Sequence, residues 1–172
     1  MLLPDVRAFL ASAKLPRVSP DEPAPDQQLL AQVEAVTDSD LGLPEPQKAA
    51  CVRALLWYAA GNLNAAHEIV QPMSGPDGAY IHGMIHRVED DFDNARYWFS
   101  QAAAHPASAE IYRHAVVNSP SIATHPLWDP VYVTDLLEQA RKTGLSEELV
   151  TVLRIEFEEL FNYLTDTKTP II

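Results

Sequence analysis

Residues 76–104 read PDGAYIHGMIHRVEDDFDNARYWFSQAAA. Apolar side chains recur every three or four positions from Ile81 to Val88, and they recur again after the two aspartates in the middle of the stretch. This spacing predicts two amphipathic helices, over residues 76–89 and 91–104, with one side of each facing a core. Because only a short turn separates them, we expect an antiparallel helical hairpin at the centre of the fold.

A weak repeat supports a stack of such hairpins. Gly61-Asn62-Leu63-x-x-Ala66 is echoed 29 residues later by Asp90-Asp91-Phe92-x-x-Ala95, and each copy opens a helix. The second copy resembles the tetratricopeptide repeat: Gly83 corresponds to the glycine of its first helix, and Asp91-Phe92, Ala95, Phe99 and Ala102 follow the pattern of its second helix. The chain departs from that family in its spacing, which is about 34 residues there, and in having Asp90 instead of the turn glycine. The resemblance implies an all-α fold of stacked antiparallel helical hairpins, tetratricopeptide-like, and no function.

Other segments carry similar helix signals. We predict further helices over residues 5–14, 26–36, 46–60, 62–71, 107–117, 130–143 and 146–165, which gives about seven to nine helices in all. Residues 15–25 contain four prolines and few apolar side chains, so they are expected to form an extended connector. We therefore divide the chain into an N-terminal helical arm and connector, residues 1–25, and a single all-helical domain, residues 26–172.

Composition restricts the classes of partner. The 172 residues include 12 Lys and Arg against 24 Asp and Glu, a net charge of −12, which disfavours nucleic acids and anionic membranes as ligands. No apolar run is long enough to cross a bilayer, and we expect no signal peptide because Pro4, Asp5 and Arg7 interrupt the first apolar residues. The single cysteine, Cys51, lies in an apolar helix and is expected to be an inert core thiol. These features predict a soluble, cytoplasmic protein.

The candidate site is a stripe of polar residues on the first helix of the hairpin. Viewed down the axis of a helix, His82, His86 and Glu89 lie within an angle of about 60°, next to the apolar side of that helix. Two imidazoles spaced four residues apart can share one metal ion, and Glu89 can act as a third ligand or orient His86. His67 is a further candidate, because the preceding helix would carry it close to this stripe. The pattern predicts a site for a divalent metal such as zinc.

A structural interpretation of the same residues remains open. His82 and His86 can instead be core residues that bond to Asp93, Tyr97 or a carbonyl group. Arg87 is expected to turn towards Glu89 or Asp91 at the helix end, and Asp91 to cap the next helix. Tyr97 and Trp98 can line a cleft or pack against a neighbouring helix.

The hairpin also carries a longer motif. The residues from His82 to Trp98 fit the string H-x-x-x-H-R-x-E-x-D-x-x-N-A-x-Y-W, which resembles the signature of an uncharacterised family of helical proteins in bacteria and fungi. The signature positions in this chain are His82, His86, Arg87, Glu89, Asp91, Asn94, Tyr97 and Trp98. The resemblance covers about a tenth of the chain and implies no activity.

Two functions fit these observations, and the sequence leaves open whether the protein is an enzyme. The first is a non-catalytic binding or scaffolding module that holds a peptide, protein or small ligand in a helical groove near Trp98. The alternative is a metal-dependent or acid-base enzyme whose site is built on His82, His86 and Glu89, with help from His67, Asp91 or Tyr97. A subunit role, in which the apolar stripe of the helix over 146–165 docks a partner or a second copy, is a third possibility.

Overall fold

The computed structural model describes residues 3–22 and 27–167, and for Leu3 and Pro4 it describes the backbone alone. Over these residues the chain forms nine α-helices, two short 3₁₀-helices and no strand. The α-helices are α1 Leu3–Ser12, α2 Gln27–Glu34, α3 Pro46–Ala60, α4 Leu63–Val70, α5 Pro76–Val88, α6 Phe92–Ala102, α7 Ser108–Ala115, α8 Pro130–Thr143 and α9 Glu147–Thr165. The 3₁₀-helices are Asp38–Leu41 and Ile122–Thr124. The predicted all-α fold of helical hairpins, with seven to nine helices, is confirmed.

Local chemistry sets the helix ends. Proline occupies the first turn of α3, α5 and α8, where its missing N–H costs no helical hydrogen bond. Asp129 accepts from the backbone N–H of Val131 at 2.9 Å, and Ser146 accepts from that of Leu149 at 3.1 Å, so each caps the helix that follows it. Helix α3 ends at Gly61, whose positive φ of 83° suits glycine.

Two hairpins position the candidate site. Helices α3 and α4 pack together across the turn at Gly61, α5 and α6 pack together across the turn at Asp90, and α4 also contacts α5. Within the second hairpin Gly83 allows close approach, because a Cβ atom there would lie 2.8 Å from a ring carbon of Phe99. The loop 71–75 that joins α4 to α5 is short, so side chains of the first hairpin lie next to those of the second.

The remaining helices cover these hairpins. Helix α9 packs against α3 and α7, and α8 packs against α6. Helix α1, in the segment predicted to be an arm, buries Val6, Phe9 and Leu10. Residues 23–26, which include part of the predicted connector and the predicted start of the second helix, lie outside the described residues. None of the described helices has the length and apolarity that crossing a bilayer requires.

An ion pair inside the core corrects one expectation. Arg87 does not turn towards Glu89 or Asp91: it is 1% exposed, and its guanidinium donates to both carboxylate oxygens of the fully buried Glu156 on α9. The hydroxyl of Tyr80 also donates to Glu156, at 2.8 Å. Burial disfavours the charge of Arg87, but the Glu156 carboxylate more than offsets this and holds the Arg87 pKa above its usual value. The pair fixes α5 against α9.

Candidate functional sites

Three histidines from adjacent helices converge on one point. His67 extends from α4, and His82 and His86 extend from successive turns of α5. One ring nitrogen from each of the three lies within 4.8 Å of the other two. The Nε2 atoms of His82 and His67 are 2.7 Å apart, a hydrogen-bonding distance. The structure therefore brings together the two predicted histidines and the third candidate, His67.

The hydrogen bonds of this group are incomplete. His82 is only 2% exposed, and its Nδ1 atom has no hydrogen-bond partner. A neutral imidazole has one donor nitrogen and one acceptor nitrogen, so when one nitrogen bonds to His67, the other retains an unmet donor or lone pair. The buried Nδ1 atom of His86 also lacks a hydrogen-bond partner. A buried polar atom with no partner, such as His82 Nδ1, costs about 1–3 kcal/mol.

Aromatic rings cover His82, and its burial lowers its pKa. The indole of Trp98 stacks on the His82 ring with centroids 3.9 Å apart, and the His86 ring stacks at 4.9 Å. Burial, together with the charges that His67 and His86 can carry, lowers the pKa of His82 to about 4. Trp98 thus packs against the site, whereas Tyr97 is 55% exposed.

Glu89 and Asp91 approach only one member of the group. A carboxylate oxygen of Glu89 lies 3.4 Å from His86 Nδ1, and one from Asp91 lies 3.7 Å from the same atom. Burial lowers the pKa of His86, and these two carboxylates oppose that shift. Glu89 is thus placed to orient His86, and His67 occupies the place of a third ligand. Asp91 also caps α6 as predicted, because its side chain accepts from the backbone N–H of Asn94.

The hydrogen-bond partners considered for His82 in a packed core lie elsewhere. Asp93 pairs with Arg96 at 3.1 Å, and the partner that His82 has is the imidazole of His67. The sequence placed His67 near the stripe only through the hairpin arrangement. No pattern in the sequence predicted the direct contact between the rings of His67 and His82.

Outside this group, another histidine forms a buried pair with an aspartate, which the sequence did not predict. His105 accepts from the backbone N–H of Ala107 and lies 3.0 Å from a carboxylate oxygen of Asp77 at the start of α5. A histidine before a proline is typical of a turn, and this pattern alone does not indicate a buried partner. The only feature of the sequence that could have suggested a partner for His105 was Asp77 in the first turn of α5.

A groove of about 1250 Å³ lies between α7, α9 and the segment that leads into α3. Its apolar lining includes Leu43, Pro106, Ile155 and Leu164. Five carboxylates and two basic side chains line the same groove, and its walls include Glu110, His114 and Glu159, which are close enough to share a cation. Within that trio, His114 Nδ1 already bonds to Glu159 at 2.7 Å.

This groove does not lie where the sequence analysis expected it. Trp98 and Tyr97 are absent from its lining, and Trp98 packs against His82 instead. The sequence pattern predicted the apolar face of α9 but not the groove beside it. The opposite side of the groove comes from residues about 40 to 115 positions earlier in the chain, and no local pattern reports such a distant contact.

The chain was compared with protein-family models, with curated proteins and with solved structures, and none of the three comparisons found a match.

Proposed function

We propose that this chain is a non-catalytic binding module that holds an extended peptide segment in the groove between α7 and α9. The observation that carries the proposal is the groove itself, whose lining combines apolar and charged side chains. Clefts of this composition bind a ligand through apolar contact and use a few polar groups to orient it. Helix α9 packs against both α7 and α3, so the core of the fold supports the groove.

The dimensions of the groove suit an extended chain. Along α9 its lining runs from Ile155 to Asp166, which is a rise of about 16 Å at 1.5 Å per residue. An extended peptide covers that distance with about five residues. Alternate side chains of such a peptide would meet the apolar and the charged side chains of the lining.

Charge selects among peptides. The lining has an excess of three carboxylates over basic side chains, and both basic groups are already paired, Lys48 with Glu45 at 3.3 Å and Arg113 with Glu110 at 2.7 Å. Arg7 touches Asn162 at one end and offsets part of this excess. The favoured occupant is therefore a segment that alternates Lys or Arg with apolar residues.

The test uses fluorescence anisotropy of a labelled Lys-Leu-Lys-Leu-Lys peptide with the full chain. The double variant Glu158→Lys/Glu159→Lys reverses charge in the groove, and we expect its affinity to fall by about tenfold or more. The matched control, Glu34→Lys/Glu68→Lys, makes the same change in net charge at exposed residues of α2 and α4 outside the groove lining. An equal loss in both variants would mean that net charge alone drives binding, and the proposal would fail.

The alternative, an enzyme built on His82, His86 and Glu89, ranks second. The contact between Glu89 and His86 supports this alternative, because a carboxylate beside an imidazole can fix the orientation of the ring. However, none of these three residues lines the groove between α7 and α9. Turnover would require a substrate cavity at the histidines.

We also propose a family, a repeat architecture and a cellular location for this chain. The family signature over the second hairpin supports membership of the helical family named above, and the echo of Gly61-Asn62 in Asp90-Asp91 supports a tetratricopeptide-like repeat. The net charge of −12 supports a cytoplasmic protein that binds neither nucleic acid nor anionic lipid.

A further inference from the structure

We propose that His67, His82 and His86 together bind one divalent transition metal ion, with zinc the expected metal, and leave a fourth coordination position to water. This site is separate from the groove, and it does not depend on the peptide-binding proposal. It differs from the ligand set predicted from the sequence in that His67 replaces Glu89.

The first argument is the unmet bonding capacity of the buried imidazoles. Nδ1 of His82 and Nδ1 of His86 are both buried without a hydrogen-bond partner. A histidine kept only for packing normally has both nitrogens paired, because burial of an unpaired polar atom is costly. The described protein groups therefore do not give this cluster the full set of hydrogen bonds that a packing role requires.

The second argument is geometry. Tetrahedral zinc binds imidazole nitrogens at about 2.0–2.1 Å, which places ligand nitrogens about 3.3 Å from one another. The three nitrogens here already lie within 4.8 Å, and the pair from His67 and His82 is at 2.7 Å. Metal binding at these two Nε2 atoms would require the ring that donates the shared proton to carry it on Nδ1 instead, and would separate the two rings slightly and draw His86 inward.

The third argument is the environment of His86. Metal-bound histidines usually donate their other N–H to a carboxylate, which fixes the ring and strengthens the ligand. Glu89 and Asp91 both lie within 4 Å of His86 Nδ1. They would serve as such acceptors while the other nitrogen of His86 faces the metal.

The donor set decides the class of metal. Three neutral imidazoles favour zinc, cobalt, nickel or copper over magnesium and calcium, which prefer oxygen ligands. Because His67 lies on α4 and the other two on α5, the ion would join the first hairpin to the second. We therefore expect metal binding to stabilise the contact between the hairpins.

The test is thermal unfolding of the full chain after chelator treatment, with Zn²⁺ added and with Mg²⁺ as a control. At a free Zn²⁺ concentration 100 times its Kd, the Tm of the wild type should rise by about 5 to 11 °C. Co²⁺ should give the visible absorption of a tetrahedral site at one equivalent. His67→Gln is the principal variant, because it retains a hydrogen-bonding group for His82 but loses a metal ligand, and it should abolish both signals.

Two control variants keep the test decisive. His125→Ala removes a histidine that stacks on Tyr132 outside the cluster, and it should respond to Zn²⁺ like the wild type. His114→Ala disrupts the other group of potential ligands, Glu110, His114 and Glu159, and it should also respond normally. The proposal is overturned if Zn²⁺ leaves the wild-type Tm unchanged, if His67→Gln still responds fully, or if the response disappears in His114→Ala.

Discussion

Replacement of Glu156 by glutamine should destabilise the fold far more than an ordinary loss of a salt bridge. Glutamine retains the size of the side chain and an oxygen that accepts from the Tyr80 hydroxyl, but it leaves the Arg87 guanidinium buried without a counter-ion. Removing one partner of a buried pair costs about 3–5 kcal/mol. This is a large part of the 5–15 kcal/mol that is typical of a folded domain.

The assay is urea unfolding followed by far-ultraviolet circular dichroism. With an m-value of about 2 kcal/mol/M, the expected loss lowers the urea midpoint by about 1.5–2.5 M. The exposed pair of Arg113 and Glu110 provides the control, because Glu110→Gln should cost no more than about 1 kcal/mol.

A double variant separates the uncompensated charge from other effects of the substitution. Arg87→Met/Glu156→Gln removes the cation together with its partner and keeps an acceptor for Tyr80. We expect it to be more stable than Glu156→Gln alone, because no unpaired charge remains in the core. If Glu156→Gln loses no more stability than Glu110→Gln, or if the double variant is less stable than the single one, the reasoning is wrong.

Three further predictions concern the packing, the histidines and the thiol. Gly83→Ala should lower stability by up to about 2 kcal/mol in urea unfolding, because the clash with the Phe99 ring outweighs the gain in helix propensity; an unchanged midpoint would contradict this. In chelator-treated protein, the free energy of unfolding should fall as the pH drops from 6.5 to 5, because the unfolded chain binds a proton at His82 near pH 6.5 and the folded chain only near pH 4. Over this range the loss is at most about 1.5 kcal/mol, and His82→Gln should reduce it to the contribution of His86, whose pKa burial also lowers; a wild-type curve that is flat over this range would refute the assignment. Burial raises the pKa of Cys51 to about 12, so a thiol reagent at pH 8 should label the unfolded chain and spare the folded one; rapid labelling of the native protein would show that the thiol is accessible.

Local signals in the sequence gave the helices accurately. Helices α3 and α8 have the predicted bounds, and the caps at Asp129 and Ser146 act as their residue types indicate. These features depend on neighbours within four positions, which a pattern can report. The 3₁₀-helix Asp38–Leu41 was not predicted, because its capping residues resemble an ordinary turn.

The site was predictable only in part, because its decisive contacts join distant residues. The four-residue spacing of His82 and His86 was visible in the sequence, and hairpin packing suggested His67. The direction of Arg87 could not be obtained in this way, since its partner lies 69 residues away. Glu156 simply interrupted an apolar run in the sequence, and only the packed fold reveals it as the counter-ion of Arg87.

That long separation has a consequence for synthesis on the ribosome. A nascent chain that has emerged only as far as α8 contains Arg87 but lacks Glu156, so burial of α5 against its neighbours would enclose an unneutralised cation. The central hairpins therefore have to keep this part of their surface hydrated until α9 leaves the exit tunnel. Stable folding is delayed until translation has passed that helix, and ribosome products that stop before it should be substrates for proteases and chaperones.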